Sequence, residues 1–143
     1  MIAPMADLVE SLKRVPLFAG VRDKELGRLA KVMRESRFNE GEAITTEGRS
    51  GVGFFLIEHG NATVSLRGEI VRTLGPGDHF GEMALLDMQG RSADITVRTD
   101  MVAAAIPEWE FKEFLSSRPE VAYRLLQTLS RRLREAEEAR ETR

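Results

Sequence analysis

The 143-residue chain contains no cysteine, so it offers neither a disulfide framework nor a thiolate metal site. It also lacks a long hydrophobic run, since the longest purely apolar stretch, Met101 to Ile106, is far below the roughly 18 residues that a membrane span requires. Charged residues such as Asp7, Glu10 and Lys13 interrupt the N-terminal segment, which therefore lacks the apolar core of a secretory signal. These absences favour a cytoplasmic protein without a membrane segment.

An excess of charge of one sign is missing as well. The 21 basic and 23 acidic side chains leave a net charge of -2, which supplies no overall positive field for holding a nucleic acid. The hydrophobic content of 42% is sufficient for one compact domain of this length but not for two full-sized domains. We therefore expect residues 1–143 to form a single domain that does not bind nucleic acid.

The first segment of this domain, residues 1–37, has apolar residues at helical intervals. The residues that follow this spacing are Leu8, Leu12, Leu26, Leu29 and Met33. Pro16 and Gly20 separate two helices, and Asp23 is the predicted N-cap of the second. The sequence thus predicts N-terminal helices before any strand.

The second segment, residues 38–106, consists of short β-rich runs separated by glycine turns. The runs are Ala43–Thr46, Gly53–Ile57, Ala62–Leu66, Ile70–Leu74, Asp94–Val97 and Met101–Ile106. Many short strands at near-regular spacing are typical of an antiparallel roll or barrel. The predicted fold class is therefore α+β, with an antiparallel, jelly-roll-like β-roll at its centre.

The helical spacing returns in the third segment, residues 107–143. Pro107 and Pro119 suit the first positions of two C-terminal helices. Leucines then follow at steps of four residues: Leu125, Leu129 and Leu133. Such a series is more often core or a dimer seam than a ligand contact. The charged stretch "RRLREAEEARETR" that follows is interpreted as a solvated helix end rather than a specific partner site.

The stretch "HFGEMALLDMQGRSADITV", His79 to Val97, interrupts the strand region with residues that suit an anion. If Glu82 to Leu86 form a helical turn after Gly81, the turn directs unpaired backbone N–H groups and a partial positive charge at whatever lies before it. Arg91 can add a planar guanidinium, and Ser92 a hydroxyl, to the same anion. The stretch therefore predicts an anion-binding site.

Glu82 does not suit an anion, because a carboxylate is repelled by a phosphate. The carboxylate of Glu82 is compatible with the site if it accepts a hydrogen bond from a sugar hydroxyl. A ligand that has both an anion and a sugar is a nucleotide. With one arginine for the phosphate, and neither a Walker lysine nor an acidic magnesium pair, a single negative charge fits better than a triphosphate. The alternative is a structural ion pair between Glu82 and Arg91 that fastens the turn to the sheet.

The segment "FGEMALLDMQGRSADITV", residues 80–93 above all, resembles the phosphate-binding cassette of the cyclic nucleotide-binding domain family. This module is shared by catabolite activator protein, protein kinase A regulatory subunits and cyclic-nucleotide-gated channels. The resemblance extends to "PLFAGV", "NEGEAITTEG", "GFFLIEHGNATV" and "LGPGDHFGEMALL". It implies a β-roll with N-terminal helices and a C-terminal helical lid.

The resemblance also implies roles for individual residues. The glutamate matching Glu82 holds the ribose 2′-hydroxyl, the arginine matching Arg91 pairs with the cyclic phosphate, and Ser92 donates its hydroxyl to the phosphate. The ligand-binding residues implied in this way are Gly81, Glu82, Met83, Ala84, Arg91, Ser92, Ala93 and Arg132. Arg132 lies in the predicted lid helix that begins near Pro119, where Arg131 and Arg134 are alternatives and a plain surface role stays open.

Asp94 and Trp109 are two further residues for which the sequence suggests an environment. Asp94 stands where the family often has a neutral residue, but strand alternation with Ile95 and Val97 facing inward predicts that its carboxylate points outward. Trp109 could cap the base of a ligand, although packing at the hinge is the favoured interpretation.

The sequence thus predicts a non-catalytic receptor domain for cAMP, less favourably cGMP, that switches by movement of the lid helix. It predicts no metal, because His59 and His79 have no carboxylate at ligand spacing, and no cofactor other than the nucleotide ligand. The sequence shows no nucleophile–base pair that would indicate an enzyme. The expected partners are an effector protein or a domain absent from this chain, and a second copy through the C-terminal helix. The alternative function is an interaction or dimerisation module with an unused pocket.

Overall fold

The computed structural model describes residues 4–45, 53–81 and 93–141. The helices are α1 (Met5–Lys13), a short 3₁₀ turn (Pro16–Phe18), α2 (Asp23–Lys31), α3 (Glu108–Ser116) and α4 (Pro119–Glu141). The strands are β1 (Arg34–Phe38), β2 (Ala43–Thr45), β3 (Phe54–His59), β4 (Ala62–Leu66), β5 (Glu69–Leu74), β6 (His79–Phe80), β7 (Asp94–Val97) and β8 (Met101–Ile106). Helices flanking antiparallel sheets confirm the predicted α+β, jelly-roll-like fold class.

The strands form two four-stranded antiparallel sheets, in the orders β1-β8-β3-β6 and β2-β7-β4-β5. One cluster of buried side chains draws on both sheets: Phe55, Ile57, Ala62, Leu74, Phe80, Ile95, Val97, Met101 and Ala103. Because an apolar sheet face must be covered, the inward-facing residues of the two sheets form a shared core, which gives the roll its two layers.

The boundary between the N-terminal helices and the roll differs from the prediction. α2 ends at Lys31 and β1 already begins at Arg34, whereas the helical spacing was extended to Met33 and the strands were placed from residue 38 onward. β1 reads "RESRF" and contains a single apolar residue, Phe38. It lies at the edge of its sheet, where Arg34 and Arg37 are exposed and Glu35 is half-buried, and for that reason it carries no hydrophobic alternation.

Contacts divide the chain into two compact units. The roll unit contains Val32–Lys112, and the helical unit contains Met5–Lys31 and Glu113–Arg143. The division falls within α3, whose first residues belong to the roll unit and whose last residues belong to the helical unit.

In the helical unit, α4 packs on the segment around the 3₁₀ turn. Val121 and Leu125 of α4 are buried, and the hydroxyl of the buried Thr128 donates to the carbonyl of Ala19 at 3.2 Å. Burying a hydroxyl without a partner is costly, so this hydrogen bond helps to fix the position of α4 against the turn.

The helix starts in this unit show one error in the prediction. α4 begins at Pro119 as expected. In α2, the N–H groups of Glu25 and Leu26 donate to the carbonyl of Arg22, which therefore accepts the first hydrogen bonds of the helix. Asp23 is therefore the first helical residue and not the N-cap. Its carboxylate still lies in the first turn, where the helix dipole favours an anion.

Within the described residues, none of the helices has the length and apolar character needed to span a bilayer.

Candidate functional site

A tight turn sets the direction of the chain just before the cassette. The N–H of Gly75 donates to the Asp78 carboxylate at 2.8 Å, and the N–H of Asp78 donates to the carbonyl of Gly75 at 3.0 Å. Ile57 of β3 accepts from Gly77 at 2.8 Å and donates to the carbonyl of Asp78 at 2.9 Å. These bonds attach the turn to β3, so that β6 begins in a fixed register.

β6 holds the first residues of the cassette on the edge of one sheet. Phe80 is buried, and its ring stacks on that of Phe55 with 4.8 Å between the ring centroids and 18° between their planes. Gly81 follows with a φ of +95°, a backbone conformation that side chains disfavour and that glycine adopts freely. Phe80 therefore anchors the start of the cassette, and the residue after it has a backbone conformation that suits glycine.

Most of the predicted ligand-binding residues lie outside the described part of the chain. These are Glu82, Met83, Ala84, Arg91 and Ser92. Their roles stay predictions, and the described part of the site consists of the two strands that frame residues 82–92.

The chain returns in the other sheet. Ala93 is half-buried and precedes β7, an inner strand that pairs with β2 and β4. Ile95 and Val97 are buried, while Asp94 is only half-buried. The predicted alternation of β7 is confirmed, and Asp94 lies on the opposite face from the core. The cassette consequently starts in one sheet of the roll and ends in the other.

The predicted lid residue, Arg132, belongs to the helical unit. It lies on α4 and is exposed, as are Arg131 and Arg134. Arg131 forms an i,i+4 ion pair with Glu135 at 3.7 Å. The structure therefore brings Gly81 and Ala93 into the roll unit and leaves Arg132 in the helical unit, with its role in ligand binding still a prediction.

Histidine and acidic side chains in the described ranges form no cluster of three that could hold a metal ion. His59 is exposed, and His79 is half-buried with its ring 5.9 Å from that of Phe54. Within these ranges the site thus has no group of side chains arranged to ligate a metal.

Trp109 does not pack at the hinge. Its side chain is 59% exposed, whereas its neighbours on α3, Glu108 and Phe111, are buried. The favoured interpretation of Trp109 is therefore wrong, because the helix turns its indole outward and anchors itself through Phe111.

A cleft of about 480 Å³ in the helical unit is chemically unlike the predicted site. Its lining includes Arg22 and Arg124 but also Glu25 and Glu120. Because the carboxylates offset the guanidinium groups, the cleft offers no excess positive charge for a phosphate.

One ion pair that the sequence did not predict links α3 to β1. Arg34 of β1 contacts Glu110 of α3, and the side chain of Glu110 is only 10% exposed. The charged residues of β1 could have indicated an edge strand, but most of this strand falls within residues 1–37, the segment predicted to be helical. Glu110 was interpreted only through its place in the first turn of a helix.

Comparison with known proteins identifies the family of this chain. The family model described as "Cyclic nucleotide-binding domain" matches residues 35–118, which is more than half of the chain. The matched residues run from β1 to the end of α3 and include residues 80–93.

Two relatives contain regions similar to this chain. A cAMP-dependent protein kinase regulatory subunit from Yarrowia lipolytica is 37% identical over 106 residues, which cover 73% of this chain and 28% of the relative. A CRP-like cAMP-activated global transcriptional regulator from Mycobacterium tuberculosis is 28% identical over 130 residues, covering 87% of this chain and 58% of the relative. The chain thus spans between a quarter and about three fifths of these relatives.

A solved structure matches over nearly its whole length. The N-terminal domain of a transcriptional regulator from Streptomyces coelicolor superposes with a TM-score of 0.79 at 30% identity, covering 90% of this chain and 93% of that domain. The family match, the relatives and the two-sheet roll agree: this chain belongs to the cyclic nucleotide-binding domain family.

Proposed function

We propose that this chain is a regulatory receptor domain that binds a cyclic nucleotide, cAMP in preference to cGMP. The observation that carries the proposal is the family match over residues 35–118, which contains the cassette residues in the expected order. Glu82 would accept from the ribose 2′-hydroxyl, while Arg91 and Ser92 would bind the cyclic phosphate. Gly81, Met83, Ala84 and Ala93 would supply backbone amides.

Two described features support this assignment. The φ of +95° at Gly81 allows the backbone to approach a ligand without a Cβ in the way. The stacked Phe80 and Phe55 fix the strand that leads into the cassette, so Phe80 and Gly81 need little reordering when a ligand binds.

The preference for cAMP rests on the relatives. The matched kinase regulatory subunit is named cAMP-dependent, and the matched transcriptional regulator is named cAMP-activated. The proposed effector is a partner protein or a domain outside this chain.

Isothermal titration calorimetry with cAMP and cGMP tests the proposal. Wild type should bind cAMP more tightly than cGMP, and Arg91→Leu should lose about 2 to 5 kcal/mol of binding free energy because the phosphate loses its charged partner. Arg72→Leu is the matched control, since Arg72 is exposed on the edge strand β5. The absence of heat with either nucleotide, or equal losses in both variants, would contradict a ligand role for the cassette.

The switch itself is part of the proposal. Ligand binding would draw in the cassette and let α3 and α4 move as hinge and lid, with Arg132 near the ribose or the base. A ligand shifts such an equilibrium only by its differential affinity for the two arrangements. Arg132→Ala should therefore weaken cAMP binding if the lid residue contacts the ligand, whereas Arg131→Ala should not.

Dimerisation through α4 is a second proposed function, and the exposed residues of this helix favour it. The side chains of Leu126 and Leu133 are 64% and 60% exposed. We call five residues that alternate in steps of four and three along this helix the α4 seam: Ala122, Leu126, Leu129, Leu133 and Ala136. This alternation keeps an apolar stripe on one side of a supercoiled helix, as in a coiled coil.

The charges beside the α4 seam favour a parallel arrangement of two copies. In that arrangement Arg132 of one copy lies beside Glu137 of the other, because g and e positions five residues apart meet across the seam. In an antiparallel arrangement Arg132, at a g position, would instead lie beside a g position of the other copy. The second copy is thus the partner that the seam fits by shape and by charge.

Sedimentation equilibrium tests this second proposal. Wild type should be a dimer at micromolar concentration, Arg132→Glu should weaken association, and the double variant Arg132→Glu with Glu137→Arg should recover it. Arg131→Glu is the matched control, because residue 131 faces away from the seam in this register. A dimer that is indifferent to Arg132→Glu would contradict the parallel arrangement.

The domain is proposed to be non-catalytic and to act in the cytoplasm. Its named relatives are regulatory proteins, which supports a role in signal transduction rather than in a chemical step. If the cassette binds nothing, the function that remains is the dimerisation module.

A further inference from the structure

The first turn of α3 is attached to the roll by an ion pair between two very different side chains. Arg34 of β1 is 66% exposed, whereas the side chain of Glu110 on α3 is only 10% exposed. The guanidinium donates to Oε1 of Glu110. The carboxylate is therefore nearly buried, and its counterion is held at the surface of an edge strand.

The other oxygen of this carboxylate is not satisfied. Oε2 of Glu110 is buried and has no hydrogen-bond partner among the described residues. A buried carboxylate normally requires several hydrogen bonds, so the docked position of α3 includes a desolvation cost that Arg34 offsets in part. Movement of the first turn away from β1 would expose Glu110 to water and relieve that cost.

Other contacts of the same turn favour the docked position. Phe111 is fully buried, and its N–H donates to the carbonyl of Pro107 at 3.1 Å. Just before the turn, a Cβ at Gly53 would lie 2.3 Å from the carbonyl oxygen of Ile106, so the two backbones are in close contact. Apolar burial thus holds α3 on the roll while the half-satisfied carboxylate opposes it.

We propose that Arg34 and Glu110 form a latch that sets how readily α3 leaves the roll, and thereby tunes the affinity of the domain for its cyclic nucleotide. The part that concerns affinity rests on the proposed function, because it assumes that ligand binding requires α3 to move. Glu110 and Arg34 act here as positioning residues and are not among the proposed ligand-binding residues. Their effect on binding is indirect and follows from the balance between docked and released α3.

The latch predicts opposite effects for its two members. Arg34→Ala leaves the Glu110 carboxylate buried without its counterion, which disfavours the docked position and should tighten cAMP binding by about five- to tenfold. Glu110→Leu removes the buried charge and adds apolar contact, so docking is favoured and binding should weaken by a similar factor. The double variant should resemble Glu110→Leu, because no buried charge remains to be neutralised.

Two measurements on the full chain test the latch. Calorimetry gives the affinity for cAMP, and hydrogen exchange of the Phe111 amide gives the mobility of the first turn of α3. Exchange at Phe111 should be faster in Arg34→Ala and slower in Glu110→Leu than in wild type. Arg37→Ala is the matched control: Arg37 lies on the same strand and is equally exposed, but it pairs with Glu35 of its own strand.

The outcomes separate the latch from the proposed function. If wild type binds cAMP and all variants bind with equal affinity, the latch is overturned and the proposed function stands. Effects of the same sign in Arg34→Ala and Glu110→Leu would also overturn it, since a merely structural pair loses stability in either variant. If wild type binds no cyclic nucleotide, the proposed function fails together with the link to affinity, and exchange at Phe111 alone decides whether the pair holds α3.

Discussion

The two halves of α4 have the same helical backbone and opposite environments. In the half from Pro119 to Ser130, Val121, Leu125 and Thr128 are buried within the helical unit. In the half from residue 131 to residue 141, every residue is exposed. One continuous helix is thus fixed by packing at one end, while its other end depends within the single chain on helix propensity and charge pairs.

The difference matters because a 23-residue helix is about 35 Å long, more than a small helical unit can cover. The second half therefore extends a surface on which Leu133 is 60% exposed. If a second copy covers this surface, the two halves differ in what stabilises them, and substitutions should separate intramolecular stability from association.

Leu125→Ala should have the largest effect on stability in this comparison. Leu125 is 2% exposed, so its truncation leaves a cavity and should lower the free energy of unfolding by about 2 to 5 kcal/mol. Urea denaturation followed by circular dichroism measures this loss. Leu126→Ala, at a 64% exposed neighbour, is the control and should change stability by less than about 0.5 kcal/mol in the monomer.

Leu133→Ala should show the reverse behaviour. Its side chain is exposed in the single chain and lies on the α4 seam, so the substitution should weaken association by about 1.5 to 3 kcal/mol. The free energy of unfolding of the monomer should change little. Sedimentation equilibrium gives the first quantity and urea denaturation at low protein concentration the second; a destabilised monomer would show that the outer half is also packed.

Thr128→Val should have a smaller effect in the packed half. The substitution preserves shape but removes the hydroxyl that donates to the carbonyl of Ala19, so we expect a loss of about 1 kcal/mol. Chemical denaturation detects a change of this size. An unchanged stability would mean that apolar packing by Val121 and Leu125 suffices to hold α4 on the 3₁₀ turn.

Glu135→Gln should have the smallest effect of the four. Both side chains of the Arg131–Glu135 pair are at least 60% exposed, and such pairs contribute only about 0.3 to 0.5 kcal/mol. The loss should disappear in high salt, because exposed charges are screened. Helicity measured at low and high ionic strength tests this, and a salt-independent loss would indicate a role beyond the pair.

The sequence predicted some elements of the roll to the residue and missed others. β7 and β8 have the predicted bounds, because Arg98 follows β7, and Asp100 and Pro107 flank β8. β1 was missed because it is a charged edge strand, and β6 because it has only two residues. Both depend on pairing with a partner strand, β8 and β3 respectively, and the pairing is decided by the tertiary structure.

The leucine series of α4 illustrates the same limit. In a helix with 3.6 residues per turn, each step of four residues rotates the side-chain direction by about 40°, so successive residues of the series do not all lie on the same face. Leu125 is accordingly buried, Leu129 half-buried and Leu133 exposed. The spacing identified a helix correctly, but it could not show which leucine packs within the chain and which faces outward.

The candidate site divides in a comparable way. Its chemistry was predicted from adjacent residues, because Gly81, Glu82, Arg91 and Ser92 lie close together along the chain. The contact between Arg34 and Glu110 joins residues 76 positions apart, and no local pattern indicates that the roll brings them together.

By itself, the sequence determined the order of helices and strands, the α+β class and the family of the domain, since periodicity, glycine turns and the cassette motif are properties of neighbouring residues. Only the tertiary structure decided which strands pair, which half of α4 is buried and where Glu110 finds its counterion. These features depend on contacts between distant parts of the chain, and their energies come from burial and desolvation rather than from local preference.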